Sequence, residues 1–232
     1  MSNDEAAPPW LWHLASRGLA VGALAVLALA GALALGVADA PRAGPLLWQD
    51  DFKHGTQRWT LAAPAGGTLG AADGALVAVF DQTSTFGGTS NPGAPEAVGL
   101  TAAPAADYTL EVAGSAVAGE SVAAYGLVFD WQDDQHYSAL FVDGNGYAEA
   151  YHQAGGQRQT LFEWQQWPHI LSGTDANRVR VDARGHAITL RINDEVLVAG
   201  PRAAARGQLG LAARSGSAAR VVFSWVRVWA SS

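Results

Sequence analysis

The chain has 232 residues, 49% of them hydrophobic and 15% charged, so it can bury a core and is too apolar for a disordered protein. Its 14 Lys and Arg residues against 21 Asp and Glu give a formal net charge of −7, which argues against nucleic acid as a partner. The absence of cysteine excludes disulfides, thiolate zinc sites, cysteine nucleophiles and iron–sulfur clusters.

An uncharged segment near the N-terminus predicts a transmembrane helix over residues 18–38. At about 1.5 Å per residue this segment covers the roughly 30 Å hydrocarbon core of a bilayer. A signal peptide is the alternative, because Arg17 precedes the segment and Ala38–Ala40 has the small-x-small pattern of a cleavage site. The segment is longer than a signal-peptide core, and Pro41 would hinder cleavage, so we favour an uncleaved anchor.

Residues around this segment indicate its neighbours. Trp10 and Trp12 lie just before it, where indoles favour the headgroup layer of the bilayer. Gly18 and Gly22 form a small-xxx-small pair on which another transmembrane subunit could pack. We therefore expect a single-pass protein of the cell membrane, with residues 1–17 cytoplasmic and the C-terminal domain extracytoplasmic.

After a linker over residues 39–45, the chain breaks into short alternating or apolar runs separated by Gly, Pro, Asn and Asp. The runs that predict strands are 46–52, 58–62, 75–80, 98–102, 108–117, 123–131, 136–142, 147–153, 159–163, 178–183, 187–192, 196–199, 208–213 and 219–229. Many short strands with almost no helical periodicity indicate an all-β domain over 46–232, built as two packed antiparallel sheets.

Turn signals support this interpretation. Asp143–Gly146 supplies the residues of a tight hairpin turn, and Arg184–His186 and Asn193-Asp194 divide residues 178–199 into a three-stranded meander. Period-two alternation predicts that five apolar side chains of this meander face inward: Val179, Val181, Ile188, Leu190 and Ile192.

Several motifs along the chain resemble one known fold. They are Trp48–Phe52, Tyr125–Phe129 with Asp133–Tyr137, Asn177–Val181 with Ile188–Asn193, and Gly207–Leu211 with Val222–Val228. Over about residues 46–230 the chain resembles the concanavalin A-like jelly roll, and within it the laminin-G-like and 3-keto-disaccharide hydrolase-like bacterial domains. These motifs are mostly structural, so the resemblance implies a jelly-roll sandwich and says little about function.

Catalytic signatures are missing from the sequence. Family 16 glycoside hydrolases, which the chain resembles in architecture, carry Glu-x-Asp-x-x-Glu on one strand, whereas Glu111, Glu149 and Glu163 do not start that pattern. The histidines have no zinc-site spacing, and no Gly-x-Ser-x-Gly elbow or phosphate loop is present. We therefore expect no enzyme activity, with a glycoside hydrolase acting on envelope or extracellular glycans as the alternative.

Calcium is the one ion that the resemblance leaves open, because jelly rolls of this type often hold one. Asp143 and Asn145 alternate as oxygen donors, but the calcium-loop pattern fails at Tyr147, and a hairpin turn explains both residues. Asp50 and Asp51 form a second weak candidate. We expect no metal site and no cofactor.

Two groups of aromatic residues are candidate ligand or partner surfaces. Residues 162–169 predict a polar–aromatic loop in which Trp164, Gln165, Gln166 and Trp167 could stack on a sugar or form a protein hot spot, unless the loop folds back on the core. On the last strand, simple alternation groups Phe223 with Trp225, Arg227 and Trp229, opposite Val222, Val226 and Val228. The indoles are then either covered or exposed around Arg227.

These observations predict a non-catalytic, membrane-anchored module that acts by binding. One possible role is that of an accessory or scaffolding subunit in a larger membrane complex, which the anchor and its small-residue pair favour slightly. The other is binding of carbohydrate in the envelope or matrix.

Overall fold

The computed structural model describes residues 44–81, 97–102, 107–117, 123–203 and 206–231, together with positions 22, 26, 27 and 95. The chain divides into two units, Met1–Pro41 and Arg42–Ser232, and the described strands all lie in the second. The strands are β1 Leu46–Asp50, β2 Thr60–Ala62, β3 Gly67–Ala72, β4 Ala75–Phe80, β5 Ala97–Ala102, β6 Tyr108–Val117, β7 Ala124–Asp133, β8 His136–Asp143, β9 Tyr147–Ala154, β10 Gln157–Gln166, β11 Asn177–Arg184, β12 Ala187–Ile192, β13 Glu195–Pro201, β14 Gln208–Arg214 and β15 Ala219–Ala230.

These strands form two antiparallel sheets. The eight-stranded sheet has the order β13-β12-β11-β6-β15-β4-β3, with β1 also paired to β15. The seven-stranded sheet has the order β10-β9-β8-β7-β14-β5-β2. The predicted all-β sandwich is therefore confirmed, including the β11–β12–β13 meander and the Asp143–Gly146 turn between β8 and β9.

The core lies between the inner faces of the two sheets. Tyr125 on β7 meets Phe223 on β15 edge to face, with ring centroids 6.4 Å apart. Gly114 on β6 lies beside these rings, and a Cβ atom there would come within 3.0 Å of Tyr125, so only glycine fits without a shift. The five meander residues predicted to face inward are each at most 2% exposed. Burying each such side chain contributes about 1.5–3 kcal/mol.

Polar side chains also connect the two sheets. Asp130 on β7 accepts hydrogen bonds from Arg202, which follows β13, at Nε (3.0 Å) and Nη2 (2.6 Å). The side chains of Asp130 and Arg202 are 2% and 4% exposed, so this ion pair is buried. The Tyr108 hydroxyl on β6 donates a third hydrogen bond to Asp130, at 3.2 Å.

His152 on β9 makes a second connection between the sheets. Its Nε2 lies 3.0 Å from the carbonyl oxygen of Pro201 on β13, and its Nδ1 lies 2.7 Å from Ser138 Oγ. A carbonyl can only accept, so Nε2 carries the proton and Nδ1 of the neutral ring accepts from the serine hydroxyl. Burial lowers the pKa of His152, which favours this neutral form.

Every predicted strand is present, but β3 was missed. Its sequence, GTLGAA, has one large apolar side chain and therefore no period-two signal. The available signal was the dipeptide Asp73-Gly74 directly before β4. Both residues have positive φ, 53° and 70°, as a type I′ hairpin turn requires.

A β-bulge corrects the simple alternation predicted for β15. The register shifts between Phe223 and Trp225, so the strand changes face at that point. Phe223, Val226 and Val228 consequently all point into the core, and Trp225–Trp229 carries its aromatic and arginine side chains on the outer face. The prediction that grouped Phe223 with Trp225 was wrong.

Most of the predicted membrane segment lies outside the described residues, as do Trp10, Trp12 and Gly18. Within residues 18–38 only Gly22, Val26 and Leu27 are described, each in helical conformation. In the described part of the chain, no helix has the length and hydropathy needed to cross a bilayer.

Candidate functional site

The outer face of the seven-stranded sheet collects aromatic and charged side chains from five strands. On β8, Leu140 and Val142 point into the core, so Tyr137 and Phe141 point outward. The antiparallel register then places Phe141 opposite Glu149 on β9. We name this surface the outer aromatic face; its residues are Trp131, Tyr137, Phe141, Tyr147, Glu149, Tyr151, Arg158, Trp164 and Arg214.

Four buried aromatic rings form the base of this face. Trp131 stacks on Tyr137 with centroids 4.7 Å apart, and Tyr137 meets Tyr151 edge-on at 6.0 Å. Tyr151 in turn stacks on Phe141 at 6.4 Å. Burial raises the pKa of Tyr137 and of Tyr151, so both hydroxyls keep their protons at neutral pH. These rings therefore form a rigid and uncharged support.

One carboxylate joins two arginines above that support. Glu149 Oε2 pairs with Arg158 Nη2, and Glu149 Oε1 pairs with Arg214 Nη2. The Arg158 guanidinium lies 3.7 Å from the ring centroid of Tyr151, and that of Arg214 lies 4.5 Å from Phe141. Cation–π contacts at these distances contribute about 0.5–2 kcal/mol each. The two cations are therefore fixed in place by the rings below them and by the carboxylate between them.

Trp164 is the exposed aromatic residue of this face. Its side chain on β10 is 40% exposed. Its ring stacks on Tyr147 with centroids 5.8 Å apart and an interplanar angle of 17°. The Arg214 guanidinium lies 5.5 Å from the same indole. An indole held this way, beside fixed donors and acceptors, suits a ligand that has an apolar ring face bordered by hydroxyl groups.

The other residues of the predicted aromatic loop have different positions. The strand β10 extends to Gln166, so Trp164, Gln165 and Gln166 lie on an edge strand and the predicted loop at this position was wrong. Gln165 and Gln166 are exposed. The pairing of β10 with β9 shifts register at Thr160/Phe162 and at Phe162/Gln165. These irregularities let the polar end of the strand stay paired at the edge of the sheet.

Trp167 belongs to the core side of the sandwich. Its ring packs edge-on against Phe162 at 5.9 Å and lies 5.5 Å from His169. Its backbone N–H donates to the Gly146 carbonyl at 2.8 Å. The indole Nε1 is buried and has no hydrogen-bond acceptor among the described residues. Trp164 and Trp167 therefore cannot act as one stacking surface.

Trp225, Arg227 and Trp229 lie on the outer face of the other sheet. The two indoles are half-buried, and the Arg227 guanidinium lies 4.3 Å from the ring centroid of Trp225. Trp225 and Arg227 line a cavity of about 290 Å³ together with Lys53 and Asp51, which form an ion pair with each other. Of the sequence-predicted surface residues, Trp164 thus lies on one outer face of the sandwich, Trp225, Arg227 and Trp229 lie on the opposite one, and Trp167 lies on the core side.

Charges on this second face are matched within the face. Asp182 accepts hydrogen bonds from Thr109 Oγ1 at 2.6 Å and from Arg180 Nε at 2.9 Å. Arg191 Nε lies 3.2 Å from the same carboxylate. Burial raises the pKa of Glu111, opposed by nearby Arg178. This network explains how charged side chains remain buried on a sheet surface.

Three carboxylates that could be weighed as catalytic groups, Asp133, Asp194 and Glu149, have structural roles. Asp133 accepts from the Gln135 backbone N–H at 2.8 Å and from His136 Nδ1 at 2.8 Å, and these contacts hold its pKa below the usual value. Asp194 occupies a turn with a φ of 74°. Glu149 is held by its two arginines. Each of these three carboxylates thus has a role in a turn or an ion pair.

The two calcium candidates also have turn-forming roles. Asp143 Oδ1 accepts from the backbone N–H groups of Asn145 and Tyr147, both at 2.9 Å. Asp50 accepts from the Phe52 N–H and from Trp59 Nε1, both at 2.8 Å. Among the residues that the structure describes, no group of three His, Asp or Glu side chains could hold a metal ion.

The sequence reasoning missed most of the outer aromatic face. It identified Trp164 but not Arg158, Arg214, Tyr137 or Tyr151. A signal was available in β9, where Tyr147, Glu149 and Tyr151 alternate with alanines, since the larger side chains share one face of a strand.

No protein-family model and no curated protein sequence matches this chain. Among solved structures, the carbohydrate-binding module CBM66 from Bacillus subtilis is 17% identical, with a TM-score of 0.56 over 75% of this chain and 97% of that one. The GH43 protein BlXynB from Bacillus licheniformis is 15% identical, with a TM-score of 0.58 over 78% of this chain but only 39% of that one. The catalytic domain of an endo-1,3-β-glucanase (laminarinase) from Thermotoga petrophila is 10% identical, with a TM-score of 0.57 over 80% of this chain and 97% of that one.

The matched parts of these structures are concanavalin A-like jelly-roll sandwiches, and the two antiparallel sheets of this chain fit that fold. The predicted concanavalin A-like fold is therefore confirmed. At such low identity the likeness concerns the fold alone.

Proposed function

We propose that the β-sandwich is a carbohydrate-binding module whose ligand lies on the outer aromatic face. The observation that carries this proposal is the exposed Trp164 indole, supported from behind by Tyr147 and bordered by the Glu149–Arg214 ion pair. An indole face covers the C–H face of a sugar ring, while a guanidinium beside it donates to the sugar hydroxyls.

Similar folds support this proposal as an analogy. The CBM66 structure is a carbohydrate-binding module by name, and the laminarinase acts on a 1,3-β-glucan. A shared fold does not carry a shared function, so the proposal depends on the side chains of this chain rather than on the likeness.

The module is proposed to bind without cleaving. Glycoside hydrolysis needs one carboxyl group that delivers a proton and a second that acts as nucleophile or base. The Glu149 carboxylate is instead held by a guanidinium at each oxygen, and Asp143 Oδ1 accepts from two backbone N–H groups. A glycoside hydrolase is the competing function, and release of reducing sugar that is lost in Glu149→Gln would establish it.

Glycan retention tests the proposal. Affinity electrophoresis of the purified chain in gels that contain laminarin or xylan should show retardation, and Trp164→Ala should weaken binding about tenfold, as expected for a ring contact worth about 1.4 kcal/mol. The matched control is Trp225→Ala, which removes an indole from the opposite outer face and should leave retardation unchanged. Equal retardation of wild type and Trp164→Ala would overturn the assignment of this face.

We further propose that residues 18–38 anchor the module to the cell membrane with the sandwich on the extracytoplasmic side. This proposal is supported by the uncharged length of the segment and by Trp10 and Trp12 before it. Carbonate extraction of membranes from cells that express the full chain should leave the protein in the pellet, and external protease should digest the sandwich. A soluble product that begins after Ala40 would show a cleaved signal peptide instead. Detergent-solubilised protein that migrates with companions would support a role as a subunit of a complex.

A further inference from the structure

The charges on the outer aromatic face balance. Arg158 and Arg214 supply two cations, and Glu149 bridges them with one oxygen each. Ala124 on β7 is paired with Asp143, at the end of β8, on one side and with Arg214, on β14, on the other. Asp143 therefore faces Arg214 across Ala124. Asp134 adds a further acidic group near Tyr137. Among the residues that the structure describes, two guanidinium groups on this face are therefore matched by two carboxylates, with a third acidic group near its rim.

The positions of the guanidinium groups limit what they can attract. The Arg158 guanidinium lies over Tyr151 at 3.7 Å and that of Arg214 over Phe141 at 4.5 Å, so neither can swing toward an incoming anion without losing its ring contact. Glu149 is only 6% exposed, so the negative charge that it shares between the two arginines is shielded from solvent and its interaction with them is weakly screened.

We infer that this face takes an uncharged glycan, because Glu149 cancels the arginine charge that would otherwise attract an anionic one. This inference rests on the proposed carbohydrate-binding function and specifies its ligand class. An acidic sugar placed beside Trp164 would find the Arg214 guanidinium, 5.5 Å from that indole, already paired with Glu149, while the net charge of −7 opposes its approach at long range. A neutral sugar needs only the N–H donors that the paired guanidinium offers to its hydroxyls.

The experiment compares laminarin and xylan with their sulfated derivatives, which keep the backbone and add only charge. Dissociation constants are measured by calorimetry at low and at high salt. The constant for each neutral glycan should be at least about tenfold lower than that for its sulfated derivative, and it should be nearly independent of salt. Equal or tighter binding of a sulfated chain, weakening as salt increases, would overturn the inference while leaving carbohydrate binding intact. Failure of the wild-type protein to bind any of these four glycans would overturn the proposed function together with the inference.

Glu149→Gln provides the sharper test. Replacing this carboxylate by an amide leaves both arginines and raises the net charge of the face by one, so the preference for neutral over sulfated laminarin should fall about tenfold at low salt. Glu195→Gln, at an exposed position on β13 in the other sheet, makes the same charge change and should keep the wild-type preference. An unchanged preference in folded Glu149→Gln would refute the role of this residue. If the variant does not fold, the wild-type comparison at two salt concentrations decides the ligand class alone.

Discussion

Removing Arg202 should destabilise the sandwich far more than removing an exposed arginine. In Arg202→Ala, the Asp130 carboxylate, which is 2% exposed in the wild type, would keep only the Tyr108 hydroxyl among its identified side-chain partners. Breaking one partner of a buried ion pair costs about 3–5 kcal/mol, because the remaining charge is left uncompensated in a region of low dielectric constant. For a domain of this size such a loss lowers Tm by about 6–20 °C.

Urea denaturation followed by tryptophan fluorescence measures this effect. The control is Arg220→Ala, since Arg220 lies 3.8 Å from Asp73 and both side chains are exposed, 45% and 92%. An exposed pair contributes at most about 1 kcal/mol, so this variant should unfold close to wild type. Asp130→Asn keeps the shape of the side chain and should reproduce most of the loss, because it leaves the buried Arg202 with only the more distant carboxylate of Asp107, at 4.0 Å. A loss below about 1 kcal/mol in Arg202→Ala would refute the argument that this ion pair joins the sheets.

Three further predictions concern packing and protonation. Trp167→Ala should lower the free energy of unfolding by about 2–4 kcal/mol, and Trp164→Ala by less than about 1 kcal/mol, because only Trp167 packs against the core; urea melts of both variants test this contrast. The pKa of His152 in the folded chain lies below its value in the unfolded chain, so the unfolded chain takes up the proton first as pH falls. The contribution of His152 to the free energy of unfolding is therefore complete above about pH 6.5 and is lost as pH falls through the folded pKa. The stability difference between wild type and His152→Asn should therefore shrink over that interval, and a constant difference would contradict the neutral-ring assignment. Gly126→Ala would place a Cβ atom 2.0 Å from a backbone oxygen of β8 and should cost about 3 kcal/mol or more, whereas Gly70→Ala, with nothing within 4 Å, should be neutral in thermal melts.

The strands were predictable because apolar alternation and turn residues are local signals. β4, β6 and β12 have the predicted bounds, and the missed strand β3 pairs through a turn that the sequence does display. Local pattern could not locate the bulge in β15, since a one-residue shift leaves the composition unchanged and only pairing with β6 reveals it. The C-terminal end of β10 was also predicted wrongly from local pattern. An edge strand tolerates polar residues, so β10 continues up to the residue before Trp167 and Pro168.

The candidate site was only partly predictable because its members meet through strand order. Trp164 could be selected by residue type, yet Arg214 reaches it from β14, which lies four strands away from β10 in the sheet. Alternation also did not show which face of β9 is the core. Its alanines point inward and its large side chains outward, the reverse of the usual expectation that larger apolar residues are buried.

The two outer faces of the sandwich differ in what a ligand would have to displace. Trp225 carries the Arg227 guanidinium at 4.3 Å from its ring centroid, so a sugar ring could stack there only after that cation moved away. The nearest guanidinium to Trp164 is that of Arg214, 5.5 Å from the indole and already fixed over Phe141 and by Glu149. Binding at Trp164 therefore needs no rearrangement of a cation, and a preorganised surface loses less free energy on binding than one that must reorganise. This difference is why the two indoles are a matched pair for mutagenesis: the same atoms are removed from each face, and only the loss of Trp164 should weaken glycan retention.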